Sequence, residues 1–445
     1  MPQTQNFTRP WSGFREQFRQ RPRVSVLVVA LTLCLLGIGG YFLVAPHLSA
    51  QYHWWKADRC QQNYKFPEAL QHLQCCLQVW PRSGATHFQM GRVYRRQGDV
   101  VAARQQLQAA YALRHNLDDL QLEFHLIEAQ TGSVQAVEPI LKKLYLVNDH
   151  PDQLLIYEAL VKGYRQHNYF DQAYDWATRW IQHAPKDWYA YYLRALAQER
   201  GNQFRPAIDD FGKALELNPN SLDTRLHLAD ALLHIKRTEH ALQQYEICLR
   251  EQPDSPRAGL GKGKCLILLG RDTEALDLFQ KLLTRPGADR DKDLADGFRM
   301  YGQLLWQHDQ PDAAVPLLQK AVALAPTNAQ ANWQLAAVFR SLGQEAEAKR
   351  CEDKAQFTDR TYIRLDQIVG ELGQMGRLET ESAKSRAAQL RYEAGMLLLR
   401  LGHDEDGIAW LLSASQLDPT HEPSKKAIKD YYSEKVPRFE NAPAR

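Results

Sequence analysis

One interval governs this chain. Ala173, Ala207, Ala241 and Ala275 recur every 34 residues, and Pro185, Pro219 and Pro253 keep the same step. A period of that length marks a stack of short supersecondary units, each burying its apolar face against the next. The stretch from Trp188 to Ser221 shows one unit. Apolar positions fall at helical spacing over 188–199 and again over 205–217, with Gly201-Asn202 between them and Asn218-Pro219 at the close. That is a helical hairpin.

The recurring alanine has a steric reason. A methyl group early in the second helix lets the two axes approach closely, where a larger side chain would force them apart. One turn later Phe211, Tyr245 and Phe279 follow Ala207, Ala241 and Ala275 on the same helix face, placed to pack into the next hairpin. The order small residue, aromatic, small residue, proline, held here by Ala207, Phe211, Ala214 and Pro219, resembles the tetratricopeptide repeat (TPR) family. The resemblance implies an all-α fold, a right-handed TPR α-solenoid, over residues 50–420, in about ten helical hairpins.

Taken in order, the first hairpin covers 50–82 with Ala69, Leu73, Cys76 and Pro81 in the repeat positions, and Met90, Gly91, Tyr94, Ala103, Leu107 and Ala110 carry the second. The array is irregular near 118–150, where Val137, Leu141 and Leu144 hold the second-helix positions beside Pro139, near 286–294, and near 356–387. An overlong helix is expected from about Glu345 to Leu372, then a polar loop to Ser385. A last hairpin, 388–419, carries Gly407 as its small residue. Residues 421–433 read as a capping helix and 434–445 as a disordered tail.

Ahead of the array, residues 1–23 form a basic tail with Arg9, Arg15, Arg19, Arg21 and Arg23 against Glu16. From Val24 to Val44 no charged residue occurs, enough helix to cross a hydrocarbon core of about 30 Å. Residues 24–45 are therefore expected as an N-terminal transmembrane helix in the lipid bilayer, with Tyr41, Tyr52, Trp54 and Trp55 at its boundary. Positive charge ahead of the span places the N-terminus in the cytoplasm and the TPR domain on the extracytoplasmic, periplasmic side. The alternative is a cleaved signal peptide, although Leu48-Ser49-Ala50 has Leu where cleavage wants a small residue. The arrangement resembles single-span TPR proteins of planctomycete-type bacteria.

Net charge is +3, with basic and acidic residues interspersed, so nothing points to nucleic acid. Asp289, Asp291 and Asp293 alternate like a calcium loop, but Leu294 and Met300 stand where that loop needs Gly and Glu. Around Gly259–Lys264 the phosphate-loop spacing fails, and Cys265 replaces the Ser or Thr. The seven cysteines include no CxxC; Cys60 with Cys76, or Cys248 with Cys265, could pair outside the cytoplasm, or each could serve as a small core hydrophobe. No HExxH, GxSxG or catalytic Cys-His pattern occurs among residues already spent on the repeat. The sequence therefore predicts no enzyme, no cofactor, no metal and no small-molecule substrate.

In the family this chain resembles, certain first-helix positions line a concave face and hold a peptide or partner helix. Carried over residue by residue, the resemblance implies Phe88, Arg92 and Arg95; Glu158, Lys162 and Arg165; Tyr189 and Tyr192; Arg257 and Lys264; Arg299 and Trp306; Trp333 and Arg340; and Tyr392. Aromatics bury area and guanidinium groups pair with carboxylates, which suits a protein surface. The expected function is a membrane-anchored scaffold for an unidentified protein or peptide. The alternative is an accessory subunit of an envelope assembly, secretion or modifying-enzyme complex.

Overall fold

The computed structural model describes residues 44–435, apart from 133, 146–149, 168 and 376–379. Every regular element among them is helical. The chain divides into two compact units, Met1–Gln203 and Phe204–Arg445. The boundary falls in the Gly201–Gln203 turn.

In the first unit a helix over 44–62 is followed by Phe66–Val79, then by the pairs Gly84–Gln97 with Val100–Ala112, Leu117–Thr131 with Val134–Tyr145, and Gln153–Gln166 with Phe170–His183, and finally by Trp188–Arg200. The second unit begins with Phe204–Leu217. It continues through Leu222–His234 with Thr238–Glu251, Pro256–Leu268 with Asp272–Leu283, Ala295–Gln307 with Pro311–Leu324, Ala329–Ser341 with Glu345–Gln374, and Glu381–Leu401 with Asp404–Leu417, and ends with Glu422–Lys435.

The small residue occupies one structural position throughout. Ala69, Ala103, Ala173, Ala207, Ala241, Ala275, Ala314 and Ala348 are each the fourth residue of a second helix, and each has no exposed surface. Gly407 fills the same place in the Asp404–Leu417 helix. The matching first-helix position is glycine at Gly91, Gly263 and Gly302, and a Cβ added to Gly91 would lie 2.8 Å from Leu107. At a different first-helix position, a Cβ on Gly163 would fall on the Ala129 carbonyl oxygen of the neighbouring hairpin. Helix axes this close leave no room for a side chain.

Local chemistry sets the helix ends. Ser83, Ser221, Ser255 and Asn328 each accept a hydrogen bond from a backbone N–H in the first turn of the helix that follows. Inside the hairpins the turn passes through left-handed backbone, at Gly98, Gly270, Gly343 and Gly402 but also at Tyr64, Asn202, Lys236 and Asp309. Lys236 is exposed, with φ at 62°, a region that costs a β-carbon about 1 kcal/mol or more. Lys236→Gly is therefore expected to raise stability by about 0.5 kcal/mol in urea unfolding, despite the greater freedom glycine has when unfolded.

The irregular segments have their own architecture. After Leu283 two short 3-10 turns, Ala288–Arg290 and Lys292–Leu294, carry the inserted residues. Asp291 accepts from the Asp293 N–H and from Arg285 Nη2 at 2.9 Å, so it serves the loop itself. Glu345–Gln374 runs 30 residues. The polar stretch expected as loop to Ser385 is helical from Glu381, because Thr380 caps that helix by accepting from the Ala383 N–H and Glu381 sits favourably in its first turn. Six cysteines, Cys60, Cys75, Cys76, Cys248, Cys265 and Cys351, are free thiols; buried Cys76 donates to the Ala50 carbonyl at 3.3 Å.

The expected membrane span, 24–45, lies outside the described residues except for its last two positions, as do the basic tail over 1–23 and residues 436–445. Among the described residues no helix is long and apolar enough to cross a membrane. The side chain of Leu144 is likewise outside them.

Candidate functional site

The first-helix residues of the first unit face one another rather than solvent. Glu123, fully buried in Leu117–Thr131, accepts from Arg92 Nε and Arg95 Nε at 2.6 Å each. Arg92 also holds Asp152 through both Nη atoms, at 3.1 and 2.7 Å, and lies over the buried Phe88 ring, which stacks on His115. A second centre forms on Glu158. It accepts from Arg96 Nε at 2.9 Å and Lys162 Nζ at 2.6 Å, while Lys162 also donates to the Arg96 carbonyl.

Burial alone would raise the Glu158 carboxyl, but Arg96 and Lys162 overcome it and hold the group down at about 2. Glu123 is lowered in the same way, against its burial, by Arg95 and Arg92. Both carboxylates are therefore charged at neutral pH, and both are enclosed.

Aromatic packing closes the unit further. Tyr64, in the turn of the first hairpin, donates to Asp187 Oδ2 at 2.8 Å and stacks on Tyr189 with ring centroids 4.2 Å apart. Asp187 also accepts from Trp180 Nε1 and from the Tyr189 N–H. Arg96 spans the same gap, donating to the Gln61 carbonyl while lying 4.9 Å from the Tyr64 ring centroid. Residues more than a hundred positions apart thus meet, so these first helices curl inward until the first hairpin touches the start of Trp188–Arg200. Phe88, Arg95, Glu158 and Tyr192 are buried in consequence. Arg165 and Tyr189 stay half-buried beside Lys162.

The second unit treats its mapped residues differently. Arg257, Lys264, Trp333 and Arg340 are exposed. Arg257 Nη2 donates to Asp230 at 2.5 Å; Tyr245 donates to the same carboxylate, and burial together with that charge pushes the phenol far up. Trp333, 37% exposed, donates its indole N–H to Asp359 at 2.9 Å, and Arg340 bonds Glu352. Trp306 packs half-buried against a core of Leu305, Ala314, Leu318 and Phe339, and Arg299 is buried, bonded to Asp296. Tyr392 packs near His421. The mapped set is therefore two groups: one turned inward within the first unit, one with four exposed members in the second.

Residues 192–256, 237–291 and 300–349 match the family pattern described as tetratricopeptide repeat. These residues carry tetratricopeptide repeats. The chain is also similar to several solved structures. MamA shares 18% identity with it, over 38% of this chain and 96% of MamA, with a TM-score of 0.33. YrrB, described as a TPR protein with an unusual peptide-binding site, shares 24% identity over 49% of this chain and 97% of its own, with a TM-score of 0.29. The pilF protein of Pseudomonas aeruginosa shares 16% identity over 56% of this chain and 97% of its own, with a TM-score of 0.35.

Several residues of the site carried no sequence signal. Glu123, Asp152 and Arg96 look like ordinary surface charges on amphipathic helices, and Tyr64 and Asp187 sit in turns. Among the described residues no group of three His, Cys, Asp or Glu side chains is placed to hold a metal ion.

Proposed function

We propose that this tetratricopeptide-repeat protein is a membrane-tethered scaffold, held by residues 24–45, that binds a protein partner on its extracytoplasmic side through first-helix side chains of the second unit. The observation that supports this is the exposure of Arg257, Lys264, Trp333 and Arg340, each on the first helix of a hairpin. Tryptophan and arginine are enriched in binding hot spots, where a rigid ring buries area and guanidinium groups pair with acidic groups. No catalytic step is assigned to these residues.

Proximity labelling from the C-terminus in intact cells tests both halves of the proposal. Envelope proteins are expected among the labelled neighbours, with one lost or reduced at least tenfold in a Lys264→Glu, Trp333→Ala variant that keeps its helical content. Labelling confined to cytosolic proteins overturns the topology, and labelling unchanged by the variant overturns the surface. A neighbour that co-purifies in fixed stoichiometry after detergent extraction would identify the chain as an accessory subunit of an envelope complex.

A further inference from the structure

The ion pairs that close the first unit leave a cavity of about 540 Å³ whose charged lining is entirely basic. Arg95, Arg96, Lys162, Arg165 and Arg200 line it, with Gln130 and Tyr189, and no Asp or Glu does. Arg96 and Lys162 answer Glu158, and Arg95 answers Glu123 through Nε alone. Arg95 has no exposed surface, yet its Nη1 and Nη2 have no hydrogen-bond partner among the described residues. The same holds for Arg165 Nε and Gln130 Nε2. Neither Arg165 nor Arg200 is ion-paired among the described residues.

Buried donors left unmatched are costly, on the order of 1–3 kcal/mol each and more when charged, and native folds carry few of them, each with a reason such as a bound ion or water or a functional role. Here the unmatched donors are two guanidinium groups and an amide around one cavity. Arg95, Arg96 and Lys162, with Arg92 behind them, share Glu123, Asp152 and Glu158, and Arg165 and Arg200 add two further charges against the nearby Glu199. The excess exceeds what one carboxylate neutralises. A phosphate dianion supplies both the charge and several acceptor oxygens, and guanidinium forks match its geometry.

We infer that this cavity binds a phosphate group, either free phosphate or a small phosphomonoester. Its size is in the range of small-molecule sites and leaves room for the group esterified to the phosphate, with the Tyr189 ring as an apolar wall. The site is independent of the partner surface proposed above, which lies in the second unit.

Isothermal titration of the full-length chain in detergent, at fixed ionic strength, tests it with inorganic phosphate, phosphoserine and glutamate as separate probes. Phosphate or phosphoserine is expected to saturate a single site, with glutamate at least tenfold weaker. Equal affinity for phosphate and phosphoserine identifies the free ion as the ligand, and tighter phosphoserine identifies an ester. Arg200→Gln, at an exposed position, is expected to weaken binding at least tenfold without moving the ligand-free melting temperature, and Arg165→Gln to do the same. Lys281→Gln, exposed in the second unit, is the unaffected control. No saturable binding of either phosphate probe, binding untouched by both arginine variants, or glutamate binding as tightly as phosphoserine would each overturn the assignment.

Discussion

Glu158→Gln is expected to destabilise the first unit by about 3–5 kcal/mol, the usual cost of removing one member of a buried ion pair. The amide keeps the shape of the side chain but leaves the Arg96 and Lys162 charges enclosed without the carboxylate they share. The loss should appear as a lower urea midpoint for the first unit, with the second unaffected, and as a changed acid limb. In the wild type the folded pKa of Glu158, about 2, lies below the ordinary 4.5. Its contribution is thus fully present above about pH 4.5 and is lost as pH falls through about 2. The variant should lose about one proton's worth of pH dependence in that window. An unchanged acid limb would mean that Glu158 is solvated rather than enclosed.

Gly163→Ala is the second large effect, about 3 kcal/mol, and it tests packing rather than charge. The new methyl would fall on the Ala129 carbonyl oxygen, which is backbone and cannot rotate away, so helix Gln153–Gln166 must move off Leu117–Thr131. That shift would also loosen Glu158 and Lys162, which share the moved helix. At Gly370, where an added Cβ meets nothing, the same substitution should stabilise slightly, by about 0.5–1 kcal/mol, through helix propensity. Equal effects at the two glycines, measured by thermal unfolding, would contradict the close-contact account.

The repeat was legible because each of its signals is local and recurs. An alanine four residues into a second helix, an aromatic one turn on and a proline at the exit reflect packing within one hairpin and against its neighbour, so they survive at fixed spacing. Contacts that pack the first unit inward leave no such trace. Tyr64 meets Asp187 across 123 residues, and the unit achieves this with an exposed-looking turn tyrosine in left-handed backbone. Glu123 sits in the least regular hairpin, where period carries least information, and it redirects Arg92 and Arg95 from a surface role to an internal one. In the second unit the first-helix positions kept more of their exposure: Lys264 stays exposed, and Trp333 and Arg340 bond only to Asp359 and Glu352 on the next helix. Capping chemistry explains the remaining difference: Thr380 read as part of a polar loop and instead starts a helix.

The first unit curls until its first hairpin meets the start of Trp188–Arg200. Lys65 and Lys186 are both exposed and flank the Tyr64–Asp187 hydrogen bond. Treating the native chain with a short amine-reactive cross-linker and mapping the products by mass spectrometry reads that closure directly. A Lys65–Lys186 cross-link is the predicted result. Both lysines modified singly but never joined would contradict it, since an uncurled stack, offset by a helix diameter of about 10 Å per hairpin, would hold them on the order of 40 Å apart.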